Sequence, residues 1–522
     1  MSKVAKNTIL IMILGIVCKV LGFGRDIVLG SLYGLGGYGG IYVSVISIPN
    51  ITFAMISSCI MTTFIPMHYE IKNNCGIKRS DEFLNNVFNI TIIVSLIVAL
   101  FGIFFTEPIV KIFAMGLQGS EFDIAVKFTK ILMIGGFFTG IAGIMTAYLN
   151  INGEFTIPSI VSIPYNIIVI IAMYISVKTS PYIMVIGTSI GVISTFIVQL
   201  IAAYKKGYRY RFKINLKDEY LIKMLILASP ILIGVAVNQV NAAVDKSMAT
   251  DFGIESAAAL GYASKLNGFI MGIFIASLAS VIYPKLSELL IDDNKEGFVS
   301  IITKSINLII IFIIPISAGA IILSNPIVSM LFESGKFDSE ATKMTALALS
   351  GYSLGMIAYS LRDILSKIFY SLKDTKTPMI NGIVAVALNI IMDIYFSRKF
   401  GYVGLTFATS LSSIICVISL FIGLHKKAGY FGQDKIIKTL LKSLISVVVM
   451  SLAVLFVYNN IVNIFNLTVI PLSIAVFVGG LLYLGLMFIL RVDELDIILD
   501  LTKKIITNLK IKILKNKAEQ NI

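Results

Sequence analysis

Residues 7–33 read NTILIMILGIVCKVLGFGRDIVLGSLY. An apolar run of this length spans a bilayer as a helix. It is nevertheless broken by Lys19, then by Arg25 and Asp26. An ionisable side chain in hydrocarbon costs about 2.5–3.5 kcal/mol even on insertion scales, so it persists where it faces a cavity or a partner. The stretch predicts a membrane protein with a polar interior pathway that is more cationic than anionic.

The rest of the chain agrees. Hydrophobic residues make up 57% of 522 and charged residues 14%, with a mean hydropathy of +0.91, which excludes a soluble globular protein. The apolar runs lack the period-two alternation of outer-membrane strands. About fourteen are long enough to cross a bilayer: residues 7–33, 40–68, 85–106, 125–150, 157–177, 182–204, 223–250, 254–284, 299–323, 341–371, 378–397, 401–424, 437–459 and 466–490. The fold class is all-α polytopic. The first run follows Lys3 and Lys6 without a small-residue cleavage site and reads as a retained helix.

The net charge of +14 sits in alternate loops. One side carries Lys72, Lys78 and Arg79; Lys205, Lys206, Arg209, Arg211, Lys213 and Lys217; Lys373 and Lys376; and Lys426, Lys427, Lys435 and Lys438. The other carries Lys111, Lys178, Lys336, Arg398 and Lys399. The positive-inside rule then places both termini in the cytoplasm, and no nucleic-acid partner is expected. Residues 492–522 mix Leu and Ile with Lys503, Lys504, Lys510, Lys512, Lys515 and Lys517. They read as a basic amphipathic tail on the anionic inner leaflet.

A weak internal repeat runs through the first twelve spans. Gly15 matches Gly234, Asp26 matches Asp245 and Gly34 matches Gly253. Pro66 matches Pro284, Pro158 matches Pro378, Thr188-Ser189 matches Thr409-Ser410, and Lys205-Lys206 matches Lys426-Lys427. Six spans per repeat is even, so the halves share an orientation, with an axis along the membrane normal and a cavity between them. The division is residues 1–215 and 216–430 as two lobes, with 431–491 as two added helices.

Cys18, Cys59, Cys75 and Cys416 have no metal-ligand or CxxC spacing, and His68 and His425 lie far apart. No catalytic constellation can be built, so the chain is expected to transport rather than catalyse, without a cofactor. Three groups carry chemistry. Lys19, Arg25 and Lys265 are cations suited to a pyrophosphate; pairing of Arg25 or Lys19 with Asp26 is the plainer alternative. Asp245, Asn389, Asp393 and Thr409 are hard oxygen donors suited to Na⁺ or a proton, with interhelical hydrogen bonding, or pairing of Asp245 with Lys246, as the alternative. Arg362, Asp363 and Lys367 form a third group, near the cytoplasmic end; interfacial snorkelling is its plainer account, with Arg362 as a secondary cavity candidate.

The run Leu21-Gly22-Phe23-Gly24-Arg25-Asp26 resembles the first-helix motif of the MurJ (MviN) lipid II flippases. So do Pro49-Asn50, Pro284-Lys285-Leu286-Ser287 and Phe332-Glu333-Ser334-Gly335-Lys336-Phe337. The tract Phe369-Tyr370-Ser371-Leu372-Lys373-Asp374-Thr375-Lys376-Thr377-Pro378 is the most specific match. The resemblance implies the MOP exporter fold and a groove for a lipid tail on the two extra helices. It implies flipping of an undecaprenyl-diphosphate disaccharide pentapeptide to the outer leaflet, by a monomer. The family's cavity arginines fall on Lys19, Arg25 and Lys265, with Asp26 and Asn50 beside them. Two of those three positions hold Lys, which keeps the charge and loses the bidentate fork. The family's charge after Pro49-Asn50 and its acid near Gly39-Gly40 are absent. Other readings are a flippase for a different polyprenyl-diphosphate oligosaccharide, a cation-coupled multidrug exporter of the same fold, and a relative without transport activity. A drug exporter would favour acids and aromatics where this chain has bases, and an enzyme of polyprenyl phosphates would show an acidic metal motif or a histidine cluster.

Overall fold

The computed structural model describes residues 3–291, 295–465 and 468–494, without the side chains of 3–10, 12, 230–231, 233–234, 237–238 and 273–295. The Pro284-Lys285-Leu286-Ser287 side chains and the basic tail from 495 onward lie outside the described residues. The chain runs through α1 (Lys3–Tyr33), α2 (Gly37–Val45), α3 (Ser47–Cys75), α4 (Ile77–Phe104), α5 (Thr106–Phe113), α6 (Gly119–Ile151), α7 (Thr156–Ile160), α8 (Ser162–Lys178), α9 (Tyr182–Lys205) and α10 (Glu219–Thr250). It continues through α11 (Ile254–Ile291), α12 (Lys295–Ile322), α13 (Ser324–Phe332), α14 (Ser339–Leu354), α15 (Met356–Ser371), α16 (Lys376–Phe400), α17 (Tyr402–Ala428), α18 (Gln433–Ile461) and α19 (Val469–Ile489). In lipid every backbone polar group must be satisfied within its own segment, and these apolar runs do so as helices. Ten stretches are long and apolar enough to cross a membrane, and the pair α14 and α15, bent by 43°, is an eleventh. The charged helices α1, α10 and α11, with 31, 32 and 38 residues, stand where the other three spans are expected.

Several spans expected to be continuous are broken, and prolines explain most of the breaks. A proline ring clashes with the carbonyl four residues earlier and removes one hydrogen bond. Helix α2 stops at Val45, four before Pro49, and α7 stops at Ile160, four before Pro164. The same rule ends α4 at Phe104 before Pro108 and α12 at Ile322 before Pro326. The short helices α5 and α13 that follow were not expected. Pro108-Ile109-Val110 and Pro326-Ile327-Val328 recur at the repeat offset and mark them. Pro66 and Pro315 sit inside helices that continue past them.

The repeat also recurs in side-chain detail. Ser189 Oγ on α9 donates to the Ile131 carbonyl of α6 at 2.9 Å, and Ser410 Oγ on α17 donates to the Gly351 carbonyl of α14 at 2.7 Å. Lys206 pairs with Glu154 at 3.2 Å and Lys427 with Asp374 at 2.8 Å. Each pair ties the loop after one span to the end of another.

Contacts gather the chain into two compact units. The first comprises residues 1–270, 331–349 and 382–409. In it α6 packs on α3, α4 and α9, α8 packs on α9 and α1, and α10 packs on α3 and α5. Glycines on α6 permit the close approach: Gly136 faces Phe53, Gly140 faces Ser95 and Gly143 faces Ser57. Asn85, Asn86 and Asn89 of α4 hydrogen-bond the backbone of residues 209–215, holding that basic connection against the helix. The second unit comprises residues 271–330, 350–381 and 410–522. There α12 packs on α15 and α18, and α18 on α19.

Candidate functional site

The first unit contains both principal charge clusters. Asp26 on α1 is buried, 6% exposed. Its Oδ1 accepts from Arg25 Nη2 at 3.0 Å and from Lys265 Nζ of α11 at 2.8 Å. The Arg25 guanidinium lies over the Tyr165 ring of α8 at 5.3 Å, and the Lys265 ammonium stands 5.6 Å from the Tyr262 ring. Both cations keep some exposure, 17% and 35% of their side chains. Adjacent residues of one helix thus supply acid and base, and a residue 239 positions away supplies the second base. The arrangement carries one net positive charge. A buried carboxylate is tolerated here because it is doubly paired; removal of one partner from such a pair is strongly destabilising.

The local Arg25–Asp26 pairing and the convergence of Arg25 with Lys265 therefore coexist. Lys19 lies two turns earlier on α1 with an exposed side chain, and Asn50 is exposed near the start of α3. Arg362 is half-buried on α15 in the second unit, beside the Lys367–Asp363 pair at 3.1 Å.

The second cluster joins α10, α16 and α17. Asp393 is fully buried and Asn389 is 2% exposed. The Asp393 and Asp245 carboxyl groups are hydrogen-bond partners. With its amide oriented to suit its neighbours, Asn389 donates to Asn241 Oδ1 at 2.7 Å and to Asp245 Oδ1 at 3.2 Å, and accepts from the Thr409 backbone N–H at 3.2 Å. Asn241 Nδ2 donates to Asp245 Oδ2 at 3.4 Å. The four residues picked from the sequence are brought together. Thr409 joins through its backbone, since its hydroxyl donates to the Leu405 carbonyl at 2.8 Å. Lys246 does not pair with Asp245: its Nζ reaches toward the Val43 carbonyl at 3.5 Å. Two carboxylates in contact repel each other, so the pair shares a proton or a cation stands between them. Oxygen donors of this kind suit a hard cation.

Sequence reading missed Asn241, Tyr165 and Tyr262. Asn241 was within reach, because it lies four residues before Asp245 and shares its helix face. The two tyrosines carry no such signal, since aromatic residues are common throughout this chain.

The family model described as Lipid II flippase MurJ matches residues 29–477. A Vibrio cholerae serotype O1 protein named as a probable lipid II flippase MurJ is 28% identical over 442 residues, covering 82% of this chain and 84% of that protein. The lipid II flippase MurJ of Thermosipho africanus is 27% identical over 415 residues, covering 79% and 84%. A solved lipid II flippase MurJ in an inward closed conformation superposes with a TM-score of 0.78 at 26% identity, covering 92% of this chain and 98% of that one. An inward-facing multidrug transporter of the MATE family in the MOP superfamily gives 0.64 at 16% identity, a likeness of fold.

Proposed function

The chain belongs to the lipid II flippase MurJ family, and we propose that it carries lipid II, an undecaprenyl-diphosphate disaccharide pentapeptide, from the inner to the outer leaflet by alternating access. The observation that supports this most directly is the convergence of Arg25 and Lys265 on buried Asp26. A pyrophosphate offers more acceptor oxygens than one carboxylate and takes charge-assisted hydrogen bonds from both cations. It would share or displace Asp26, relieving the surplus positive charge, with Lys19 and Asn50 beside the path. Basic residues, rather than acids, favour a polyprenyl-diphosphate over an organic cation; another oligosaccharide on the same lipid remains the second reading.

In this proposal residues 1–215 and 216–430 are the moving lobes, and residues 431–491 guide the lipid tail. Both termini are cytoplasmic, the tail from 492 rests on anionic lipid, and a monomer suffices. The cluster of Asp245, Asn389, Asp393 and Thr409 is the coupling site for Na⁺ or H⁺. A cation there would cancel the carboxylate repulsion and so favour whichever lobe arrangement holds the donors together. Arg362 is a secondary cavity residue. Complementation of a strain depleted of its lipid II flippase tests the proposal. Growth supports it, whereas a properly inserted protein that fails to restore growth or to flip lipid II in vesicles overturns it.

A further inference from the structure

The second unit contains an apolar pocket of about 890 Å³ between α15, α17 and the start of α18. Leu361, Val417, Phe431 and Ile436 line it and are buried, whereas Ile418 and Ile437 on its sides are more than half exposed. The pocket is apolar, with polar groups where α17 ends and α18 begins: His425, Lys426, Tyr430, Gln433 and Asp434. No residue of α19 lines it.

The charges at that end are unevenly matched. Lys427 is paired with Asp374 at 2.8 Å. Asp434 accepts from the Tyr430 hydroxyl at 2.5 Å and from backbone N–H groups of its own first turn. His425 Nδ1 lies 2.8 Å from Gln433 Nε2. Lys426 is exposed and makes no ion pair among the described residues. An apolar trough that ends at an unpaired ammonium matches an amphiphile with an anionic head. On the topology proposed above, this end lies at the cytoplasmic leaflet. Anionic lipids concentrate there, and basic pockets between helices bind their head groups.

We propose that this pocket is a binding site for an anionic glycerophospholipid, with acyl chain against Val417 and Ile436 and phosphate at Lys426. It borrows only the start of α18 from the segment proposed to guide the lipid tail, and it leaves the Asp26 cluster untouched. The test uses the full chain purified in detergent, with phosphatidylglycerol, phosphatidylcholine or undecaprenyl phosphate added during thermal unfolding. Phosphatidylglycerol should raise the melting temperature by a few degrees more than phosphatidylcholine. Lys426→Glu should remove that excess while leaving the lipid-free melting temperature unchanged. Ile418→Trp, which fills the trough, should reduce the response to both lipids. Native mass spectrometry should show fewer retained phosphatidylglycerol molecules for each variant. An undiminished excess in Lys426→Glu overturns the site. So does a larger response to undecaprenyl phosphate that Ile418→Trp abolishes, which would assign the trough to the substrate's tail. Because transport is scored separately by complementation, failure here leaves the flippase reading standing, and failure there leaves this one.

Discussion

Asp26 sits between two cations, while Asp245 and Asp393 face one another with no cation paired to either among the described residues. The two sites occupy matching positions of the repeat in part, since Asp26 and Asp245 are repeat partners. The two matching acid positions are thus furnished in opposite ways. In the first copy Arg25 and Lys265 surround it, leaving a positive excess that an anion can satisfy. In the second copy Asn241, Asn389 and a second carboxyl surround it, leaving a negative excess that a small cation or proton can satisfy. Charge balance, rather than the kind of residue alone, separates a cluster suited to an anion from one suited to a cation.

The largest expected effect comes from stripping the first cluster. Arg25→Ala with Lys265→Ala should abolish complementation while the protein still reaches the membrane. Lys265→Arg should keep it, because charge is retained and a fork is added. Normal growth of the double variant would erase the distinction between the clusters. The second site is sharpened by ion choice. If it binds Na⁺, NaCl at about 100 times Kd should stabilise the purified protein by roughly 2.7 kcal/mol, and equimolar choline chloride should not. Asp393→Ala should remove the difference. Equal stabilisation by both salts would leave the coupling site without support, and a gain that tracks pH and disappears in Asp393→Asn would assign it a proton.

Smaller effects separate ligands from neighbours. Asn241→Ala removes a hydrogen bond to Asp245 and should weaken the sodium-dependent gain by about 0.5–1.5 kcal/mol without abolishing it. Unchanged sodium response would make Asn241 a bystander. The smallest effect is at the loop pairs outside the membrane. Asp374 accepts from Lys427, from the Thr377 backbone N–H and from its hydroxyl. The hydrogen bond from Lys427 and those from Thr377 hold its carboxyl well below the usual carboxylate range. A depressed folded-state pKa gives stability that is full above the unfolded value near 4 and is lost as pH falls through the lower folded value. Asp374→Ala should therefore cost about 0.2–1 kcal/mol at pH 7, and the gap from the unaltered protein should shrink only below about pH 4. A gap that closes between pH 5 and 7 would show that another group carries it.

Much of the fold was legible because bilayer length, loop charge and proline position each act locally. The apolar runs located the spans to within a few residues for most helices. The breaks at Val45, Ile160, Phe104 and Ile322 were written in the sequence as well, in prolines four residues downstream, although their effect was not read. They had to be distinguished from Pro66 and Pro315, which leave their helices unbroken, and local sequence offers no rule for that. The bend at Gly355 depends on packing, since Ser410 and Tyr359 crowd the place where a side chain would be.

The sequence by itself determined that this is an all-α membrane protein with charged residues inside its apolar runs and a set of oxygen donors on α10, α16 and α17. Hydrophobicity and charge are properties of single residues and of their spacing, so they survive in one dimension. Only the tertiary structure decided the partners: that Asp26 takes both Arg25 and Lys265, that Lys246 turns away from Asp245 toward Val43, and that Asp245 meets Asp393. Those choices depend on which helix faces meet and how far a side chain reaches across them. A charge has no fixed partner until packing brings one within about 3 Å and excludes the water that would otherwise take its place.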